Sequence, residues 1–270
     1  MSRLLAQRVV LITGASSGIG AELARQCAAQ RMRVAITARD AARLEDVASA
    51  CRALGADVFV VAGDVSIEQD CQRIVRATAE HFGQLDVLIN NAGLGASGKF
   101  EDITDLTIFD TLMRVNYLGS VWCTAYALPY LKKTHGRIVG ISSLTGLTGV
   151  PKRTAYAATK HAMAGFFDSL RIELADTGVS VTMIYPGFVF SEINRHALSP
   201  NGLPFGERAY VRKPGETMET ATCVRMILRA TARRDRDLVM TARGKFGRVL
   251  KLLSPRLVDR IARRVIEKRQ

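Results

Sequence analysis

The fold is decided by the stretch Val9-Val10-Leu11-Ile12-Thr13-Gly14-Ala15-Ser16-Ser17-Gly18-Ile19-Gly20. Its first five residues are apolar or β-branched, which favours a buried strand. Three glycines follow within seven positions, and a helical apolar pattern then covers Ala21–Gln30. The stretch therefore predicts a strand, a tight turn and a helix in direct succession, which is the first unit of an α/β fold.

The three glycines suit a loop that binds phosphate. Glycine permits a positive φ and lets the backbone approach a pyrophosphate closely. The free N–H groups and the dipole at the start of the following helix favour the phosphate charge. We therefore predict a dinucleotide-binding turn, and a merely tight strand–helix connection is the alternative. The predicted contacts are Gly14, Ser16, Ser17, Gly18, Ile19 and Gly20.

Short β-branched runs alternate with amphipathic segments along the chain, which predicts a parallel sheet with helices on both faces. We expect strands at Val9–Thr13, Val34–Thr37, Val58–Ala62, Val87–Ile89, Ile138–Ser142, Val179–Ile184 and Leu238–Thr241. We expect further helices at Ala41–Leu54, Ile67–His81, Leu106–Lys132 and Ala155–Thr177. The predicted fold class is α/β, with a seven-stranded parallel sheet in one doubly wound Rossmann-type domain over residues 1–242 and a basic extension over residues 243–270.

Length and composition agree with one globular domain. The 270 residues fill one large α/β domain, and 48% of them are hydrophobic and 23% charged, close to the globular average. The first strand begins at Val9, so we expect no removable leader ahead of it and a cytoplasmic protein. The cysteines are odd in number and form no CxxC pair, which predicts buried, reduced thiols. They are Cys27, Cys51, Cys71, Cys123 and Cys223.

A tyrosine and a lysine lie four residues apart in the helix predicted over residues 155–177. Tyr156 and Lys160 therefore share one helix face. Free tyrosine has a pKa near ~10, and a nearby ammonium lowers it, which would suit Tyr156 to proton transfer. Ser143, at the end of the fifth strand, can hydrogen-bond a substrate carbonyl. Ser142 competes with it, and because adjacent strand residues point to opposite faces, only one of the two serines can reach the site.

The order of these motifs resembles the compact branch of the short-chain dehydrogenase/reductase family. Its glycine spacing is Gly-x-x-x-Gly-x-Gly, which this chain has in place of the commoner Gly-x-Gly-x-x-Gly. Asn90-Asn91-Ala92-Gly93 follows the fourth strand, and Tyr156-Ala-Ala-Thr-Lys160 matches the family's Tyr-x-x-x-Lys. Asn116 lies in the preceding long helix, and Pro186-Gly187 follows the sixth strand. The resemblance covers about residues 9–241.

The resemblance implies an oxidoreductase that uses a nicotinamide cofactor to interconvert a ketone or aldehyde with an alcohol. Tyr156 would protonate the oxygen, Lys160 would also bind the nicotinamide ribose, and Asn116 would anchor a water relay. The implied catalytic residues are Asn116, Ser143, Tyr156 and Lys160. Further implied cofactor contacts are Asp64, Val65, Asn90, Ala92, Gly93, Pro186, Gly187, Val189 and Ser191, the last standing where the family usually has threonine. A homodimer or homotetramer is also implied.

The end of the second strand indicates which nicotinamide cofactor is bound. Enzymes that use NAD usually place an acid there for the ribose 2′-hydroxyl, whereas an arginine suits the 2′-phosphate of NADP. Ala38 occupies the position of that acid, and Arg39 follows it. We therefore predict NADP(H), although Asp40 leaves NAD(H) as the alternative. For Asp64, the adenine contact that the resemblance implies is favoured, and a plain loop acid is the alternative.

The substrate side is less defined. Pro and Gly interrupt the pattern over residues 192–216, and Leu198, Leu203, Phe205, Tyr210 and Val211 supply apolar area, which predicts a lid over a lipophilic substrate such as a steroid, retinoid or fatty-chain carbonyl. The four histidines have no metal-site spacing, so we expect no metal.

The last 28 residues carry ten lysines and arginines against two acidic residues, Asp259 and Glu267. Apolar residues recur among them every three or four positions from Phe246 to Val265. Such a basic amphipathic segment can lie on an anionic membrane. Packing of its apolar stripe on the protein or on a partner subunit is the alternative, and we favour it. We expect no nucleic-acid binding, because no recognition motif accompanies the charge.

Two other classes of function fit parts of the sequence. A non-catalytic NADP(H)-binding sensor would need the same fold, but it would have no use for Ser143, Tyr156 and Lys160 together. A membrane-surface scaffold would use the basic extension. Within enzymes, a sugar epimerase of the family's extended branch is disfavoured by the glycine spacing and the short C-terminal portion.

Overall fold

The computed structural model describes residues 5–190, 193–208 and 217–267. Within these residues the strands are β1 (Val9–Thr13), β2 (Arg33–Thr37), β3 (Val58–Val60), β4 (Val87–Asn90), β5 (Arg137–Ile141), β6 (Ser180–Tyr185) and β7 (Asp237–Val239). The helices are α1 (Gly18–Ala29), α2 (Ala41–Arg52), α3 (Glu68–Phe82), α4 (Thr107–Leu112), α5 (Gly119–Lys133), α6 (Thr154–Glu173), α7 (Ile193–His196), α8 (Thr220–Arg233), α9 (Ala242–Leu253) and α10 (Pro255–Glu267). Each predicted strand is present within two residues of its predicted bounds.

The strands form one parallel sheet in the order β3-β2-β1-β4-β5-β6-β7. Every residue of β1 and β5 is buried, as expected for strands that helices cover on both faces. The chain winds outward in opposite directions from the neighbouring strands β1 and β4, and in such sheets a crevice opens at the carboxyl ends of the strands. The predicted doubly wound, seven-stranded α/β fold is confirmed.

Two helix layers enclose the sheet. Buried residues of α1, α2 and α8 pack on one face, and buried residues of α3, α5 and α6 pack on the other. The prediction that the cysteines are buried is confirmed, since all five are free thiols inside the structure. The first layer contains Cys27, Cys51 and Cys223, and the second layer contains Cys71 and Cys123.

The helix predicted over Leu106–Lys132 is not regular. Between α4 and α5 the chain makes a π-helical turn at Met113–Leu118, which holds the buried Asn116. Helix α8 was not predicted, although Cys223, Val224, Ile227 and Leu228 have the apolar spacing of a helix and are buried. The irregular composition directly before α8 obscured its start.

The amino edge of the sheet is closed by a buried carboxylate. Asp86, which precedes β4, accepts hydrogen bonds from Arg8 Nη1 at 2.6 Å, from the Val9 N–H at 2.8 Å and from Gln84 Nε2 at 2.7 Å. It is fully buried. These bonds join the N-terminal segment to the two central strands, at the edge opposite the crevice.

The C-terminal segment forms α9 and α10, which pack on each other. We expected the apolar stripe of this segment to pack on the protein or on a partner subunit. In α9 it does not pack on the described domain, since Phe246, Val249, Leu252 and Leu253 are exposed, and packing on a partner subunit stays a prediction. These side chains are exposed because α9 rests on the domain through Gly244 and two basic residues on its other side, Arg248 and Lys251.

Candidate active site

The glycine-rich turn lies between β1 and α1, at the carboxyl edge of the sheet. Gly14 has a φ of +64°, and a Cβ on Gly20 would lie 2.2 Å from the Gly14 carbonyl oxygen, so both positions require glycine. Ser17 is the extended residue before α1, and its side chain makes no capping hydrogen bond. The N–H groups of the first turn of α1 are therefore not satisfied by that side chain. This arrangement fits a pyrophosphate.

The turn is held against the end of β4 by Thr13 and Asn91, which are not among the predicted cofactor contacts. Asn91 Nδ2 donates to the carbonyl oxygens of Thr13 at 2.8 Å and Gly14 at 3.1 Å. Thr13 Oγ1 accepts from the N–H groups of Asn91 and Ala92, both at 3.0 Å. A polar residue directly after a buried strand was the signal for Asn91. The two motifs therefore form one rigid floor.

The remaining residues of the β4 motif lie on different sides of the chain. Asn90 turns inward, where its buried Nδ2 donates to Thr124 Oγ1 at 3.0 Å. Gly93 faces the site, since a Cβ there would lie 3.4 Å from Asn116 Oδ1 and 3.6 Å from Lys160 Nζ. The absence of a side chain at Gly93 leaves room beside the lysine.

The structure brings Ser143, Tyr156 and Lys160 together. Ser143 follows β5 and lies near enough to the Tyr156 hydroxyl to influence its pKa, and Lys160 Nζ lies 5.7 Å from the centre of the Tyr156 ring. Ser142 takes no part, because its buried hydroxyl donates to the Lys160 carbonyl oxygen at 3.2 Å. The two serines therefore point to different sides, as predicted from the alternation of a strand.

The acidity of Tyr156 differs from the expectation. Burial disfavours the phenolate and raises the pKa of Tyr156, and the Arg153 guanidinium and the nearby Ser143 hydroxyl only partly offset this. Arg153 supplies a positive charge that opposes the rise in the pKa of Tyr156. Burial lowers the pKa of Lys160 itself to about 8, and its Nζ donates to the Ile141 carbonyl oxygen at 2.9 Å.

Arg153 is a site residue that sequence analysis missed. It immediately precedes α6, three residues before Tyr156, and its Nη1 donates to the Ala96 carbonyl oxygen at 3.0 Å. Burial lowers the pKa of Arg153, and the nearby Tyr156 opposes that change. The only sequence signal was a cation one helical turn before the tyrosine.

Both polar side-chain atoms of Asn116 form hydrogen bonds within the protein. Its Oδ1 accepts from the Leu94 N–H at 2.7 Å, and its Nδ2 donates to the Leu94 carbonyl at 2.9 Å and to Thr159 Oγ1 at 3.0 Å. Thr159 Oγ1 in turn donates to the Tyr156 carbonyl oxygen at 2.9 Å. The π-helical turn thus fastens the loop after β4 to the helix that carries Tyr156.

Arg39 and Asp40 have different environments at the end of β2. The Asp40 carboxylate accepts from the Arg43 N–H at 3.0 Å and caps α2. Arg39 is exposed, and no hydrogen bond or ion pair joins it to the residues that the structure describes. After β3, Asp64 Oδ1 accepts from the Ser66 N–H at 2.9 Å and forms a local turn, and Val65 is buried.

The carboxyl end of β6 and the predicted lid complete the site. The Pro186 carbonyl oxygen accepts from the Leu144 N–H at 3.1 Å; Gly187 and Val189 follow it, whereas the predicted contact Ser191 lies outside the described residues. Of the lid, residues 193–208 are described, so Tyr210 and Val211 lie outside as well. Leu198 pairs with the loop after β4 and packs with Tyr156 against a small apolar cluster.

The described residues also bear on membrane spans and metal sites. In the described part of the chain, no helix combines the length and apolar character needed to cross a membrane. Over the same residues, no group of three or more His, Cys, Asp or Glu side chains could hold a metal ion.

Known proteins resemble this chain in sequence and in fold. A family model described as short chain dehydrogenase matches residues 8–201. The chain is 38% identical over 257 residues to an 11-beta-hydroxysteroid dehydrogenase 1A of Arabidopsis thaliana, a match that covers 93% of this chain and 73% of the relative.

Two solved structures are similar. An alcohol dehydrogenase from the archaeon Thermococcus sibiricus, complexed with 5-hydroxy-NADP, has a TM-score of 0.74 and 27% identity, covering 86% of this chain and 94% of that chain. A short chain dehydrogenase/reductase from Burkholderia phymatum, in complex with NAD, has a TM-score of 0.82 and 23% identity, covering 94% of this chain and 95% of that chain. The second likeness concerns the fold.

Proposed function

This chain belongs to the short-chain dehydrogenase family and is an oxidoreductase, and we propose that it uses NADP(H) to interconvert a lipophilic ketone or aldehyde with its alcohol. The observation that carries this proposal is the convergence of Ser143, Tyr156 and Lys160 beside the glycine-rich turn. These residues combine a proton donor with a polar site for an oxygen atom and a floor that fits a dinucleotide.

In the mechanism, a bound nicotinamide cofactor supplies or accepts the hydride. Ser143 positions the substrate oxygen by a hydrogen bond, and the Tyr156 hydroxyl gives that oxygen a proton during reduction or removes one during oxidation. The raised pKa of Tyr156 keeps the hydroxyl protonated at neutral pH, which suits reduction. Lys160 is held by the Ile141 carbonyl and sits behind the ring, where it orients the tyrosine and faces the space left by Gly93.

The preference for NADP(H) rests on Arg39. Its guanidinium is exposed at the end of β2, where a 2′-phosphate would lie, whereas the Asp40 carboxylate is occupied with capping α2. The NADP derivative in the Thermococcus enzyme is consistent with this choice, and the NAD in the Burkholderia protein represents the alternative.

The proposal of a lipophilic substrate is based on the apolar residues around Tyr156. Leu198 and Leu94 pack beside it, and Ile193 and Leu203 of the lid remain exposed. The Arabidopsis relative is named for a hydroxysteroid, which is one member of this class.

We further propose a homo-oligomer, since Ala158, Gly165 and Ser169 form an exposed small-residue face of α6 that would let another helix approach closely.

The test is titration with NADPH and with NADH, followed by turnover on a panel of steroid, retinoid and fatty-chain carbonyls. We expect tighter binding of NADPH and a loss of about 10²–10⁴-fold in kcat for Tyr156→Phe. Tyr130→Phe, at a partly buried position on α5, is the matched control and should keep full activity. Preference for NADH would contradict the role of Arg39, and binding without turnover on any compound would favour the sensor.

A further inference from the structure

Helix α9 packs on the domain with its polar side. Lys251 Nζ donates to the Leu147 carbonyl oxygen at 2.7 Å, and Arg248 Nη1 pairs with Asp237 Oδ2 at 2.8 Å. Gly244 of the same helix lies so close to Leu144 that a Cβ on Gly244 would be 2.4 Å from Leu144 Cδ2. Leu144 and Leu147 belong to the loop that begins at Ser143. Helix α9 therefore packs on the loop that carries this residue of the candidate active site.

The opposite side of α9 is apolar and exposed. Phe246, Val249 and Leu253 lie at positions i, i+3 and i+7, on one helix face, and are 67%, 56% and 78% exposed. A surface helix normally turns such a face inward, because burial of apolar surface stabilises the fold. Here the fold leaves it without a partner in the described residues.

Helix α10 extends the same surface and adds positive charge. It packs through the buried Val258, whereas Leu257 and Ile261 remain exposed. Exposed arginines lie beside them, at Arg256, Arg260 and Arg264. Over residues 242–267 eight basic residues face only two acidic ones. The surface therefore combines apolar side chains with a strong positive field.

We propose that this face of α9 and α10 binds the surface of an anionic lipid bilayer. Apolar side chains insert at the level of the lipid headgroups, and the arginines beside them pair with anionic headgroups. A second copy of this chain is the other occupant that an apolar face would suit, but its equally basic tail would bring like charges together. The docked helices would hold the loop that begins at Ser143 close to the membrane, where an apolar substrate dissolves.

The experiment is co-sedimentation of the full chain with two kinds of vesicle, pure phosphatidylcholine and phosphatidylcholine mixed with phosphatidylglycerol. We expect binding to the anionic vesicles at low salt and its loss at high salt. The double variant Phe246→Glu and Leu253→Glu should abolish binding. The triple variant Arg256→Gln, Arg260→Gln and Arg264→Gln should weaken it on the order of 100-fold.

Matched controls separate the surface from general changes in apolarity or charge. Leu54→Glu changes an exposed apolar residue on another face, and the triple variant Lys132→Gln, Lys133→Gln and Arg229→Gln removes three exposed charges elsewhere. Both should bind vesicles like the wild type. NADPH binding and thermal unfolding of every variant report whether the fold is intact, independently of turnover.

Two outcomes would overturn the proposal. One is the absence of binding to anionic vesicles at low salt, and the other is equal binding by the wild type and the Phe246/Leu253 variant. If the wild type does not bind vesicles but is a dimer in analytical ultracentrifugation, and the Phe246/Leu253 variant is a monomer, the partner of this face is a second copy of the chain. Vesicle binding needs no catalysis, so a failure of the proposed enzymatic function would leave this result unaffected.

Discussion

The two adjacent serines at the end of β5 have different partners, and each predicts a different loss. Ser143 lies near the Tyr156 hydroxyl at the site, so Ser143→Ala should lower kcat by about 10²-fold, as expected for loss of one donor to the reacting oxygen. Ser142 donates to the Lys160 carbonyl in the interior, so Ser142→Ala should cost about 1 kcal/mol of stability. Steady-state kinetics and urea unfolding of both variants measure the two effects. Equal losses of activity would contradict the assignment.

Arg153 should set the pH dependence of the reaction through Tyr156. Its positive charge favours the phenolate, so Arg153→Gln should raise the pKa of Tyr156 further. Reduction needs the protonated hydroxyl and is lost as pH rises through that pKa, so the alkaline limb of the rate should move to higher pH. Arg153→Lys keeps the charge and should restore the limb, and Lys152→Gln should leave it in place. An unchanged profile in Arg153→Gln would exclude the effect.

The residues of the site were predictable to different degrees. Tyr156, Lys160 and Ser143 stand in a recognisable order, whereas Arg153 gave almost no signal, because its role depends on the loop position of Ala96. The directions of the pKa shifts of Lys160 and Tyr156 were not predictable. Their spacing indicates that the two side chains are close, but it does not show that both are buried, and burial is the largest cause of each shift.

At the scale of elements, the turn between β1 and α1 depends on a close backbone approach. A methyl group at Gly20 would lie 2.2 Å from the Gly14 carbonyl oxygen, so Gly20→Ala must displace the turn. We expect it to destabilise the protein by about 1–3 kcal/mol and to abolish NADPH binding. Gly247→Ala, in α9, meets no atom within 4 Å and should stabilise its helix by about 0.5–1 kcal/mol. Calorimetry and cofactor titration check both; a Gly20→Ala protein that still binds NADPH tightly would refute the role of the turn.

The helices and strands differ in how well the sequence predicts them. Strands such as β1 and β5 were predictable because burial on both faces demands continuous apolar runs. The π-helical turn at Met113–Leu118 was not, since a single displaced hydrogen-bond register leaves the apolar pattern of α4 and α5 almost unchanged. The orientation of α9 was also hidden, because periodicity gives an apolar face without saying what covers it.

At the scale of the whole molecule, the two edges of the sheet have separate roles. The carboxyl edge carries the candidate site, while the amino edge holds the buried Asp86 and its three donors. Asp86→Ala leaves the Val9 N–H without its partner and should cost about 3 kcal/mol of stability. Below its melting temperature the variant should bind NADPH normally.

Asp110→Ala is the matched control for that variant. It removes an exposed ion pair with Arg114 on the surface, which is worth less than about 1 kcal/mol. Thermal unfolding and cofactor titration of the two variants compare the edges directly. A change in NADPH affinity for Asp86→Ala in the folded protein would show that the edges are coupled.

The buried thiols give each helix layer its own chemical reporter. Burial raises the pKa of Cys223 to about 12, so an alkylating reagent meets almost no thiolate while the layer is closed. Modification must wait for local opening, and its rate measures how often that opening occurs. Peptide mass spectrometry can assign each modified cysteine to one side of the sheet. The native chain thus allows the opening of its two halves to be timed separately, without any engineered label.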